Sequence, residues 1–183
     1  MEKQKETLRR LCRAAVLAAA VFVTSGIRLV IPVGEGNTAL HLGNVMCLLS
    51  GLVLGPVQGG LAAGVGSAVY DLTNPLYVAS APFTFVFKFL MALVAGAIAH
   101  RRVDLRWNLI GCTAGSLTYT ALYVTKSFLS NLWFKELPLA AAWIAVLPKL
   151  AASAVNGLIA VVVAAPLAVW VSMALKRTGW AMP

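Results

Sequence analysis

Four basic residues stand inside otherwise apolar stretches: Arg28, Lys88, Lys126 and Lys149. An ionised side chain in such surroundings is costly and normally faces a protein interior or a water-filled cavity. Polar residues accompany these cations at helical spacing. Tyr119, Tyr123, Lys126, Ser127 and Ser130 fall on one stripe, and Lys149, Ser153 and Asn156 stand at i, i+4 and i+7. Thr84 and Lys88 are four apart, His41 and Asn44 three apart. Residues at these spacings share a helix face, so four polar faces can converge on one pocket. Against four cations the sequence sets at most Glu35 and Asp71. A low-dielectric cavity with surplus positive charge favours an anion, and the tyrosines supply faces for a flat ring. A small organic acid or phosphate ester fits that chemistry; a cation such as thiamine finds no negative cage. Two plainer readings stand beside this one. Arg28 and Lys126 lie within a turn of a span end and can snorkel to headgroups, and the polar groups can hydrogen-bond one another as glue between helices. The leading ligand candidates are Lys88, Lys126, Lys149, Asn156 and Tyr123, followed by Arg28, His41, Asn44, Asp71 and Tyr77.

Catalytic patterns are missing. The chain has no GxxxxGK followed by Ser or Thr, so it does not itself hydrolyse ATP, and no HExxH. GVGS at Gly64–Ser67 is not the GxSG of an intramembrane serine protease. With only two histidines, His41 and His100, on opposite sides of the expected topology, an enzyme has little to work with. Cys12, Cys47 and Cys112 are scattered, form no CxxC pair and read as small core residues.

The elements that must carry these side chains follow from composition. Of 183 residues, 60% are hydrophobic and 11% charged, a balance that belongs to a polytopic membrane protein forming a single unit over residues 1–183. Six helical spans fit: Leu11–Ile31, Leu42–Leu54, Val57–Tyr70, Phe83–Ala99, Trp107–Leu129 and Ala140–Met173, with Pro148 expected to kink or restart the last. The fold class is therefore all-α. The second and third spans are separated by Gly55-Pro56, a tight turn in what would otherwise be one overlong helix. Small residues four apart (Gly51 and Gly55, Gly60 and Gly64, Ala62 and Gly66, Ala92 and Gly96) allow close backbone packing in lipid.

Charge placement orients the chain. With both termini in the cytoplasm, ten of the fifteen basic residues lie inside: Lys3, Lys5, Arg9, Arg10, Arg13, Arg101, Arg102, Arg106, Lys176 and Arg177. The outer loops then hold Glu35, Asp71, Lys135 and Glu136, and the four embedded cations fall in outer halves of their spans. The net charge of +9 thus reflects membrane topology and not nucleic-acid binding. The expected location is the plasma membrane, crossed several times.

The stretch GLVLGPVQGGLAAGVGSAVYDLTNPLYVASAPFTFVFKFLMALVAGAIA resembles the substrate-binding S component of energy-coupling-factor (ECF) transporters. The shared features are the Gly55-Pro56 turn, a Gly-rich third span from Gly60 to Asp71, the Thr84–Lys88 start of the fourth, and LPKLAASAVNGLIAVVVAAPL in the sixth. The resemblance covers most of the chain. It implies a subunit that binds a vitamin-like compound from outside, topples, and releases it inside when a transmembrane scaffold and two ABC-type ATPases drive it. It also implies an AxxxA docking face for the scaffold on the first span, matched here by Ala14 and Ala18 and, in parallel, by Ala15 and Ala19. Nickel and cobalt members carry a histidine after the initiator Met; here Glu2 stands there, so neither a metal nor a cofactor is expected. Pantothenate-like, biotin-like and folate-like compounds and phosphorylated vitamin precursors all fit an anion site, and a neutral flavin fits as well if backbone carbonyls hold the lysines. The alternative is a stand-alone carrier or channel using the same cavity without ATPases.

Overall fold

The computed structural model describes residues 2–33, 36–100, 102 and 104–177; Glu35 and Arg101 lie outside them. Six helices carry the fold, the number that the apolar runs predict: α1 (Glu2–Gly26), α2 (Gly43–Leu54), α3 (Pro56–Thr73), α4 (Ala81–Ala99), α5 (Leu105–Trp133) and α6 (Leu139–Arg177). Two stretches among the described residues, Val78–Ala99 and Leu139–Arg177, are long and apolar enough to cross a membrane.

The short helix α2 is the centre. It packs against α1, α3, α4 and α6, and every residue in it except Met46 is buried. Its contacts are close because small residues meet backbone. A Cβ on Gly51 would collide with the Ala92 carbonyl of α4, and one on Gly96 would lie 2.6 Å from the Gly51 carbonyl oxygen. The small residues four apart therefore work as expected, as surfaces where helix backbones touch. At the α2–α3 joint Gly55 takes φ +87° and its N–H returns to the Gly51 carbonyl at 3.0 Å. Pro56 then opens α3 at a position where its missing N–H costs nothing.

Two expectations need correction. The first span does not run to Ile31. α1 ends at Gly26, and the chain forms an antiparallel hairpin of β1 (Arg28–Val33) and β2 (Gly36–His41), in register from Arg28 opposite His41 to Val33 opposite Gly36. Arg28 is thus the first residue of a strand and not part of a membrane helix. The run RLVIPV is apolar enough to look like helix, but its β-branched residues and Pro32 suit extended chain. The second correction concerns Pro148, which does not restart the last helix: α6 is continuous from Leu139 and holds both Pro148 and Pro166. Lys149 consequently stands well inside α6 and not in its first turn.

Candidate functional site

At the end of the bundle where the hairpin sits, a pocket of about 380 Å³ opens between the ends of the helices. α3 and α4 build one wall. Asp71, buried near the end of α3, accepts a hydrogen bond from the Thr84 hydroxyl of α4 at 2.5 Å. One turn further along α4, Lys88 is 3% exposed. Its ammonium donates to the Asn44 side-chain oxygen of α2 and lies 3.7 Å from the Tyr119 ring centroid of α5. A buried ammonium needs such partners, a carbonyl dipole and an aromatic face, to stay in the bundle.

α5 and α6 form the opposite wall. The Tyr119 and Tyr123 rings stack 5.9 Å apart at an interplanar angle of 6°. Lys126 sits one turn on, its ammonium 4.9 Å from the Phe83 ring centroid. The Thr120 and Ser153 hydroxyls, 2.8 Å apart, join α5 to α6. Asn156 of α6 accepts from the His41 backbone N–H at 2.9 Å, which fixes the hairpin over the pocket. The hairpin brings Arg28, whose Nε donates to the Ser25 carbonyl at 2.8 Å. Its guanidinium lies 4.2 Å from the Tyr70 ring and 4.7 Å from the Tyr77 ring.

Nine of the ten ligand candidates line this pocket: Arg28, His41, Asp71, Tyr77, Lys88, Tyr123, Lys126, Lys149 and Asn156. Asn44 does not; it stands behind Lys88 and holds it. The pocket also takes Ser25, Ser67, Leu76 and Ser80, which sequence reasoning missed. A serine in an apolar run is too common to signal a cavity, and Leu76 carries no polar signal.

Several polar atoms at or beside the pocket are buried and have no hydrogen-bond partner among the described residues: His41 Nδ1, Tyr77 OH and Asn44 Nδ2. Such atoms are expensive unless something satisfies them. Burial, then the positive charges of Lys88 and Arg28, push the His41 imidazole well below its ordinary value, so the ring is neutral near pH 7.

The alanine stripes of α1 divide. Ala14 and Ala18 are half-buried, and the Ala18 carbonyl lies where a Cβ on Gly66 of α3 would fall. Ala15 and Ala19 are exposed.

Comparison with known proteins agrees with this architecture. The solved structure of the S component of a bacterial ECF transporter superposes with a TM-score of 0.71 at 23% identity, covering 93% of this chain and 99% of that one. An uncharacterized protein of Pyrococcus woesei is 30% identical over 110 residues, 60% of this chain and 72% of its own length. The family of ECF-type riboflavin transporter S components matches residues 5–176. With six helices around a short buried α2, a pocket at one end and a family match over nearly its whole length, the chain belongs to the ECF-type riboflavin transporter S component family.

Proposed function

We propose that this chain is the substrate-specific subunit of an ECF-type importer, and that it binds a small, ring-bearing, anionic vitamin-like compound from outside the cell. Both termini are cytoplasmic, and the pocket opens outward. A transmembrane scaffold and two ABC-type ATPases couple the subunit to inward release, with the scaffold docking on α1. Of the two alanine stripes, Ala15 and Ala19 are the better docking face, because Ala18 is already packed against α3.

One observation carries the choice of ligand. Among the described residues, Arg28, Lys88, Lys126 and Lys149 line one pocket with a single carboxylate, Asp71, which already accepts from Thr84. Lys88 and Arg28 are supported by aromatic rings and carbonyls. Lys126 and Lys149 are half-buried and line the same pocket, where an anion offsets their positive charge. The Tyr119–Tyr123 stack offers a flat surface for the ring.

A neutral flavin is the second reading. The family is described as riboflavin transporters, and the unpartnered His41 Nδ1 and Tyr77 OH suit the polar edge of a neutral heterocycle. Calorimetric titration of the purified protein with riboflavin, riboflavin 5′-phosphate and carboxylate vitamins separates the two. Tighter binding of an anion, weakened by salt, supports the first; riboflavin binding at least as tightly as every anion overturns it in favour of the second.

A further inference from the structure

The opposite end of the bundle holds a second recess, of about 700 Å³. It lies between the start of α1, the α2–α3 turn and the end of α4, so it is remote from the ligand pocket. Arg10 and Arg102 line it. Arg10 pairs with Glu6 one turn back at 2.5 Å, but that contact is exposed and of the kind worth little in water. The Arg102 guanidinium lies 3.6 Å from the Trp107 ring, a contact that orients it and leaves its charge uncancelled. Asp104, the nearest acid in sequence, caps α5 by accepting from the Arg106 N–H. The floor is built: His100 is buried, its ring nitrogen 2.8 Å from the Leu52 carbonyl, and its ring covers Gly55.

The recess is amphipathic. Beside the two guanidinium groups it presents Val57, Ala97 and Ile98. From Val57 an apolar track continues along α3 through Leu61, Val65 and Val69, four residues apart and all exposed. Residues at that spacing share one helix face. Twelve residues of α3 make the track about 18 Å long at ~1.5 Å per residue. A basic socket that opens onto an apolar track matches a molecule with a phosphate at one end and a hydrocarbon chain at the other.

We propose that this recess binds an anionic phospholipid of the surrounding leaflet. Arg10 and Arg102 hold the headgroup phosphate, and the Val57–Val69 track carries an acyl chain. A soluble phosphate would use the guanidinium groups and leave the track bare.

The test uses the full chain purified in neutral detergent. Native mass spectrometry and thermal unfolding are recorded with phosphatidylglycerol, with phosphatidylcholine of the same chains, and with inorganic phosphate. The expected result is one phosphatidylglycerol retained in preference to phosphatidylcholine by about tenfold, with a higher unfolding temperature. Arg10→Gln and Arg102→Gln, made singly and together, reduce that preference to less than about twofold, and an unchanged unfolding temperature in phosphatidylcholine shows that they fold. Leu61→Ser weakens retention of long-chain phosphatidylglycerol more than that of a short-chain form. Equal retention of the two lipids, or a preference that survives the double arginine variant, overturns the proposal. Displacement of phosphatidylglycerol by millimolar inorganic phosphate overturns it as well, in favour of a soluble-anion site.

Discussion

The Lys88 ammonium lies 3.7 Å from the Tyr119 ring centroid, and both residues line the candidate pocket. This contact joins α4 to α5 inside the bundle. The third member, Asn44, anchors the same ammonium to α2. Lys88 is therefore a wall of the pocket and a structural tie at once. A double-mutant cycle of Lys88→Met and Tyr119→Leu should give a coupling of about 1–2 kcal/mol, the range for a desolvated cation over a ring. Thermal unfolding of the four proteins measures it; zero coupling would mean that the two side chains are neighbours only.

Lys149 and Lys126 are the better probes of ligand charge, because among the described residues no hydrogen bond ties either to the fold in the way Asn44 ties Lys88. Lys149→Ala should weaken binding of an anionic ligand by more than about tenfold, or about 1.4 kcal/mol, and leave the unfolding temperature of the empty protein nearly unchanged. Lys126→Ala should do the same. Titration calorimetry decides it, and equal affinity in both variants removes the anion site.

His41 gives the site a pH signature. Its folded-state value is depressed by burial and by the charges of Lys88 and Arg28. Below the ordinary histidine value of 6.5 the unfolded chain takes up a proton that the folded chain refuses. This term therefore costs nothing above that pH and lowers stability as the pH falls through 6.5 and below. His41→Gln should flatten the fall of the unfolding temperature between about pH 7 and pH 5. Parallel curves for the two proteins would show that His41 is not the source.

Close helix contacts predict which glycines are replaceable. Gly51→Val should abolish the monodisperse peak in size-exclusion chromatography, because its Cβ would meet the Ala92 backbone of α4. Gly157→Ala should be tolerated: the nearest atom to its added Cβ is that of Ser116, at 3.4 Å. The reverse outcome would mean that α2 and α4 do not pack backbone to backbone.

Docking on α1 is tested by Ala15→Leu with Ala19→Leu. Both positions are exposed, so ligand binding and unfolding temperature should hold. Substrate uptake in vesicles containing scaffold and ATPases should fall by at least about tenfold, an effect that added bulk produces where a partner helix must approach closely. Ala14→Leu with Ala18→Leu should instead disturb the α1–α3 contact and lower stability. Undiminished uptake in the Ala15 and Ala19 variant would place the scaffold elsewhere.

The helices and their polar stripes were legible in the sequence because helical periodicity is local. Apolar runs, Gly55-Pro56 and the spacing Lys149–Ser153–Asn156 each depend on a few neighbouring residues. The same locality explains why nine of the ten candidates line one pocket: polar residues at helical spacing share a face, and a charge in an apolar run must face a cavity or a partner. Tertiary structure decided what local pattern leaves open. Hydrophobicity alone does not separate a strand from the tail of a helix, so Arg28 moved onto the hairpin that caps the pocket. Spacing put Asn44 on the polar face, but the approach of α2 to α4 turned it toward Lys88 and out of the lining. Alanines four apart gave two equal stripes, and only the contact with Gly66 showed which of them α3 already covers. In each case the deciding energy belongs to a contact between residues far apart in sequence, which no single stretch of chain contains.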